Sequence, residues 1–195
     1  MVAGMQMPSP RRYDLMLFLS TRGREGAFRT KQLDRARVAS GDAVLDVGCG
    51  TGTLAIAAAR RGALVRALDP SPDLLEHARR KARRARVDVT FDLGTGESLP
   101  YADDSFDVVL SSLVLHHLSH DDLRASVQEL RRVVRPSGRV FIADTGAGAL
   151  HGGGFDLAAV ASRFEAVGLE TVESGSLGSD IKLVGEMHYV LTRAA

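Results

Sequence analysis

The sequence predicts an α/β domain in which a parallel sheet is covered by helices on both faces. Three features carry that expectation. Short β-rich runs alternate with helical segments from residue 43 onward. Those runs are continuously apolar rather than apolar on alternate residues, as strands buried on both sides are. The first run then passes through a glycine-rich turn directly into an alanine-rich helix.

The chain's 195 residues suit one domain, large enough to bury a core without disulfides. With 45% hydrophobic and 25% charged residues, its composition is that of an ordinary soluble globular protein. A formal net charge of +1 gives no overall pull toward nucleic acid or an anionic membrane. The one cysteine, Cys49, cannot form an internal disulfide, which fits a reducing cytoplasm. The apolar run at 15–19 is too short for a signal peptide or a membrane span, so the expected location is cytoplasmic.

Residues 1–12, with Pro8 and Pro10, are expected to form a flexible tail. Residues 13–38 read as helical, with Gly23 and Gly26 marking a break between two helices. Strand 43–47 is followed by helix 53–61, which Gly62 closes. Strand 64–69 leads through Pro70-Ser71-Pro72 into helix 73–85. Strands at 87–91 and 106–111 follow, then helix 121–134, in which Leu123, Val127, Leu130 and Val134 form one core-facing stripe. Pro136 and Gly138 turn the chain into strand 139–144. A helix at 155–167 and extended stretches at 169–174 and 187–192 complete the pattern. Five glycines fall within residues 145–154, just after the fifth strand, on the side where open α/β sheets bind ligands. That segment reads equally as a substrate gate or a solvent loop.

The stretch "VLDVGCGTG" at 44–52 identifies what the first turn is built for. A glycine turn before a helix N-terminus brings backbone N–H groups close to a ligand. A P-loop would need Lys and Ser or Thr after its last glycine, but Gly52 is followed by Thr53 and Leu54. A dinucleotide fingerprint would need a sixth-position glycine, where Thr53 stands. The glycines instead occupy first, third and fifth positions (Gly48, Gly50, Gly52), preceded by Asp46.

That motif resembles the first motif of the class I S-adenosylmethionine-dependent methyltransferases. Three further segments match in the same order: "ALDPS" at 67–71, "ESLPYADDSFDVVLSSLVLHHL" at 97–118 and "LRRVVRPSGRVFIAD" at 130–144. The nearest subgroup is the ubiquinone/menaquinone-biosynthesis-like and small-molecule methyltransferases. The resemblance implies a Rossmann-like seven-stranded methyltransferase sheet, mostly parallel, with an antiparallel last strand and additional N-terminal helices. It divides a single domain over 13–195 into N-terminal helices on the substrate side (13–39), a cofactor-binding core (40–144) and a substrate-side loop, helix and final strands (145–195).

By that resemblance, the cofactor is S-adenosylmethionine and the product S-adenosylhomocysteine. Gly48, Cys49, Gly50 and Gly52 would let the methionine moiety and ribose lie against backbone, with Asp46 near the amino end. Asp69 would accept both ribose hydroxyls, followed by Pro70, although "DPSP" also makes a good helix start. Relatives carry Gly-Asp-Ala on the adenine side; here Gly94, Thr95 and Gly96 occupy those positions, so an uncharged hydroxyl replaces an acid. Asp92 could compensate from nearby. Gly96 and Glu97 would present backbone to the adenine, and Ser111 would line the space around the methyl group.

His116 and His117 are candidate general bases, since imidazole titrates near neutrality; alternatively they are structural and bond loop backbone. With Tyr13, they are also candidate substrate contacts. No metal-ligand set emerges. The sulfonium already activates the methyl group, so positioning dominates, worth roughly 7–11 kcal/mol at best. The implied reaction is methyl transfer to a small organic acceptor by in-line displacement. The short segment after 144 leaves room for an exposed acceptor or for a lid from a second subunit in a homodimer. Two other readings stand beside this one: a non-catalytic S-adenosylmethionine-binding partner, and an RNA-modifying protein. The second would use "RRKARRAR" at 79–86, which otherwise reads as a solvated helix face.

Overall fold

The first apolar run, Ala43–Val47, is the central strand β1, and the sheet grows from it in both directions. The computed structural model describes residues 10–20, 23–145, 156–181 and 185–195. Across the sheet lie β3 (Val89–Leu93), β2 (Leu64–Asp69), β1, β4 (Phe106–Ser112), β5 (Val134–Thr145), β7 (Gly185–Ala194) and β6 (Leu169–Ile181). Strands β1 to β5 pair in parallel, and β7 runs antiparallel to both its neighbours. The seven-stranded sheet with a reversed last strand is therefore as expected.

Alternation along the strands builds two cores. Val44, Leu110 and Phe141 face α2 (Glu25–Arg35), α3 (Thr53–Arg60) and α4 (Pro72–Ala85). Leu45, Val109 and Ile142 face α5 (His120–Val133) and α6 (Leu157–Glu165). The chain leaves β1 toward β2 on one side and later returns to β4 on the other. The crevice beyond the C-terminal ends of β1 and β4 is thus the topological switch point, where such sheets bind ligands.

The helices start where capping chemistry says they should. Ser71 accepts from Leu74 N at 3.4 Å with Pro72 next in line, and Ser119 accepts from Asp122 N at 3.1 Å. Acidic residues sit in the first turns of α4 and α5 and arginines in the last, matching the helix dipole.

Several boundaries differ from the sequence expectation. The first helix, α1 (Pro10–Ser20), begins inside the segment expected to be a tail. Strand β3 starts two residues late, because Arg86 takes a left-handed conformation (φ 55°) and Val87 N donates back to Ala82 O, so both residues finish α4. Val133, not Val134, completes the buried stripe of α5, and Val134 already pairs with Phe106. Pro136 and Gly138 do not end a loop but form a kink within one long strand, where Phe106 faces Val134 and Val108 faces Arg139. The glycine-rich segment 146–154 and the start of the expected last helix lie outside the described residues.

Candidate active site

The turn between β1 and α3 needs glycine for two reasons. Gly48 and Gly52 have φ of 73° and 75°, and each backs onto a neighbour. A Cβ at Gly48 would collide with Val114 Cγ2, and one at Gly52 would lie 2.9 Å from Ala78 Cβ. Backbone bonds then tie the turn to β2. Gly48 N and Cys49 N donate to Leu68 O at 2.8 and 3.0 Å, and Gly50 N donates to Asp69 Oδ2 at 2.8 Å. The other oxygen of Asp69 accepts from Ser71 N at 2.9 Å. Asp69 thus serves the turn and the α4 cap at once, while each oxygen keeps a second lone pair for a ligand. Burial raises its carboxyl above the ordinary carboxylate range, against the opposing effect of those two bonds. Pro70 is half-buried beside it.

Asp46 is the most perturbed group. It is 2% exposed, and its Oδ2 has no partner. Burial pushes its carboxyl up to about 7, opposed by the Arg29 guanidinium and a backbone bond from Ala55 and reinforced by Asp69. The Cys49 thiol is pushed well up, first by burial and then by the Asp46 and Asp69 carboxylates.

Arg29 was not legible as a site residue, yet α2 buries it at the same edge. Its Nη1 donates to Gln32 Oε1 at 3.0 Å and approaches Ser112 Oγ at 3.5 Å, while Gln32 Nε2 donates to Ser112 Oγ at 2.7 Å. Glu25 lies 3.7 Å from Nη2. Arg29 Nε and Glu25 Oε1 are buried without hydrogen-bond partners. One end of the crevice therefore combines a guanidinium and a carboxyl, each with unused capacity.

On the opposite face of the sheet lie Ser111 of β4 and Ser126 of α5, both 2% exposed with unpartnered hydroxyls. Gly96 packs between Ser126 and Val47, where a Cβ would lie 3.2 and 3.3 Å from Ser126 Oγ and Val47 Cγ1. Thr95 is exposed and its backbone bridges to Ser98; Glu97 is half-buried in the same loop. Asp92, the other candidate on this side, accepts through Oδ2 from Arg66 (2.9 and 3.1 Å) and from Tyr101 OH (2.9 Å).

Helix α1 closes over the turn through a polar latch. Asp14 accepts from Thr51 Oγ1 at 2.6 Å and from Lys81 Nζ at 3.0 Å, and His77 Nε2 lies 2.8 Å from it. Lys81 also reaches Thr51 and Thr53 at 3.2 and 3.1 Å. Lys81 thus leaves the solvated face expected for 79–86. Arg79 is engaged too, donating to Phe91 O at 2.7 Å. The side chain of Tyr13 lies outside the described residues.

After β4 the chain folds back over the glycine turn. Leu113 has φ 63°, uncommon for a non-glycine residue, and is held by its N–H to Ala143 O at 2.9 Å. Val114 then presses on Gly48, and the 3₁₀ turn Leu115–His117 follows. His116 Nδ1 lies 2.6 Å from Oδ1 of Asp144, the fully buried residue near the end of β5, and the rings of His116 and His117 touch with centroids 3.7 Å apart at an angle of 47°. The C-terminal sheet edge therefore gathers Asp46, the glycine turn, Asp69, the 95–97 loop, Ser111 and both histidines.

Among the described residues, no group of three or more His, Cys, Asp and Glu side chains is placed to hold a metal ion, and no helix is long and apolar enough to cross a membrane. A groove of about 870 Å³ lined by Leu64, Arg66, Thr90 and Tyr101 runs along the other, N-terminal edge of the strands, away from the switch point.

Sheet order, reversed β7 and the glycine turn define a class I S-adenosylmethionine-dependent methyltransferase, and the chain belongs to that family. Residues 44–138 match the family described as "Methyltransferase domain". The chain is 42% identical over 123 residues to methyltransferase GfsG of Streptomyces halstedii, covering 61% of this chain and 44% of that protein. It is 36% identical over 143 residues to a demethylmenaquinone methyltransferase of Beutenbergia cavernae, covering 73% and 57%. It thus spans about half the length of the curated relatives it matches. A S-adenosylmethionine-dependent methyltransferase from Aquifex aeolicus shares the fold, with TM-score 0.76 at 20% identity over 97% of this chain and all of the other.

Proposed function

We propose that this chain binds S-adenosylmethionine and transfers its methyl group to a small organic acceptor. The observation that carries this is the pair of buried, half-satisfied charged groups beside the glycine turn, Asp46 with a free Oδ2 and Arg29 with a free Nε. An α-amino acid end supplies an ammonium for the first and a carboxylate for the second, so the residues fit the family's cofactor. Asp69 would take the ribose hydroxyls on its remaining lone pairs. Gly48, Cys49, Gly50, Gly52 and Pro70 would face it with bare backbone or small side chains. Thr95, Gly96 and Glu97 would flank the adenine, with Ser126 and Ser111 offering buried hydroxyls on the same side.

When bound, the cofactor supplies a sulfonium-activated methyl group. The protein's own part is to orient the acceptor toward it and exclude water. The small-molecule acceptor is supported by the names of relatives such as the demethylmenaquinone methyltransferase. An RNA acceptor is less well supported, because Arg79 and Lys81 are turned to internal partners.

Calorimetric titration with S-adenosylhomocysteine, with NADH as control, tests the reading. Micromolar-range binding of the first alone is expected, weakened about 100-fold or more in Asp69→Ala, since two charge-assisted bonds at roughly 1.5–3 kcal/mol each are lost. Folded protein that ignores S-adenosylhomocysteine would sink the proposal. Tight binding with no turnover of any acceptor would instead favour a non-catalytic cofactor-binding role.

A further inference from the structure

The outer ring nitrogen of His116, a residue held by a fully buried carboxylate and two positions beyond the Val114 that packs on Gly48, carries an inference about the acceptor. Asp144 is 0% exposed, and both its oxygens already accept from backbone: Oδ1 from Thr145 N at 2.8 Å and Oδ2 from His116 N at 3.2 Å. A carboxylate surrounded by donors leaves Nδ1 of His116, 2.6 Å away, one role, that of N–H donor. The proton is then on Nδ1, and Nε2 keeps its lone pair.

Among the described residues Nε2 has no hydrogen-bond partner, although the His116 side chain is only 14% exposed. The ring also packs at a tilt against that of His117. Its place is set by the strained turn at Leu113 and by Val114, which touches Gly48 and lies two residues before His116. The ring is thus engaged on its inner side only, in the turn that follows the C-terminal end of β4.

We propose that His116 is a general base, that Asp144 is the residue positioning it, and that the acceptor is therefore an acidic hydroxyl, a phenol or enol, rather than an amine. This rests on the methyltransferase reading above. The acceptor's O–H bond breaks and its proton passes to Nε2. The electron pair left on oxygen forms the bond to the methyl carbon, while the carbon–sulfur bond breaks and its pair stays on sulfur as a neutral thioether. The imidazolium returns its proton to solvent. A neutral amine brings its own lone pair and needs no base at the moment of attack, so this arrangement would be idle for N-methylation.

Two readouts test it. The first needs neither cofactor nor acceptor: long-range ¹H–¹⁵N correlation of the histidine rings in the full chain. Wild type is expected to show the Nδ1–H tautomer at His116, and Asp144→Asn the Nε2–H tautomer, because the amide can donate to Nδ1. An Nε2–H ring in the wild type overturns the proposal. The second is transfer of labelled methyl to catechol and 4-nitrophenol, with aniline and benzylamine as the amine set. Phenol turnover is expected to fall about 10³–10⁴-fold in kcat in Asp144→Asn, the size of a wrong-tautomer effect, with KM and S-adenosylhomocysteine affinity unchanged. In His116→Gln most of the phenol rate should be lost as well. Wild-type protein that binds S-adenosylhomocysteine yet methylates only amines, or neither set, overturns the proposal, as does phenol turnover equal in wild type and Asp144→Asn. Loss of S-adenosylhomocysteine binding by wild type would defeat the cofactor reading instead, and the tautomer result would stand apart from it.

Discussion

Two arginines, both turned inward, show how a structural polar group differs from one that awaits a ligand. Arg132 on α5 is fully used. It donates to Glu129 Oε1 and Oε2 at 2.7 Å, to the carbonyls of Tyr101 and Leu99 at 2.7 and 3.0 Å, and to Asp103 Oδ1 at 2.8 Å. Glu129 in turn accepts from Leu99 N at 2.7 Å. Arg29 on α2 is more deeply buried, yet it has one good bond, one long one, a loose contact to Glu25 and an idle Nε. Burying a cation with so little compensation is unfavourable. A fold that retains such a group at its switch point has not optimised it for stability. The difference separates residues that hold the 99–103 loop from residues that would hold a ligand.

Breaking that contrast gives the largest expected effect. Arg29→Leu should weaken S-adenosylhomocysteine binding by about 100-fold or more, the loss of charge-assisted bonds of roughly 1.5–3 kcal/mol each. Its apo stability should change little, because the relief of no longer burying a half-paired cation is offset by the partner that Glu25 and Gln32 lose. Arg132→Ala should do the reverse. Stability should fall by about 1–3 kcal/mol as two carbonyls and Glu129 lose their donor, a range discounted because 30% of the side chain is exposed. Cofactor affinity of the folded fraction should hold. Urea melts and calorimetry on both variants measure this; parallel losses in both would erase the distinction.

Asp46 sharpens the contrast through pH. Its folded-state carboxyl, near 7, is raised above the ordinary value, so between about pH 4 and 7 the native apo protein binds more protons than the unfolded chain. Its contribution then makes apo stability fall as pH rises through that window and level off above 7. Ligand binding runs the other way, since an ammonium favours ionised Asp46. S-adenosylhomocysteine affinity should rise up to tenfold per pH unit below 7 and flatten above it, with proton release on binding at pH 6. Asp46→Asn should abolish that slope in both measurements. An affinity independent of pH from 5.5 to 8 would mean that Asp46 does not meet the ammonium.

How much of this was legible in the sequence depends on range. The strand–helix alternation, the glycine turn and Asp69 are local patterns with local physical causes, and the structure has them in place. Strand ends were less legible: the two-residue shift of β3 depends on Arg86 adopting a left-handed cap, which a basic run does not signal. Arg29, Asp14, Asp144 and Ser126 were missed as site residues because each acquires its role from a partner far away in the sequence, 28 residues for Asp144, or from what it lacks. A faint signal existed for Arg29. With Phe28, Gln32 and Leu33 it forms the inward face of α2, and polar residues on an inward face call for an explanation.

The smallest expected effect tests the basic helix. Reversing Arg83 and Arg84 to Glu, on exposed positions of α4, should change stability by no more than about 0.5 kcal/mol and leave S-adenosylhomocysteine binding unaltered. Lys81→Ala, on the same helix, should loosen α1, because Lys81 is one of three side chains meeting Asp14. Burial there works against the charge of Asp14, but its bonds to Thr51, Lys81 and His77 prevail and hold its carboxyl below the usual range. A depressed carboxyl contributes stability that is present above its unfolded value and lost as pH falls through its folded one. Amide exchange in α1 should therefore accelerate in Lys81→Ala at neutral pH, by roughly the 0.2–1 kcal/mol of a partly exposed ion pair. In wild type it should accelerate only under acid conditions. Equal exchange in both proteins at neutral pH would show that α1 is held by its apolar contacts and not by the latch.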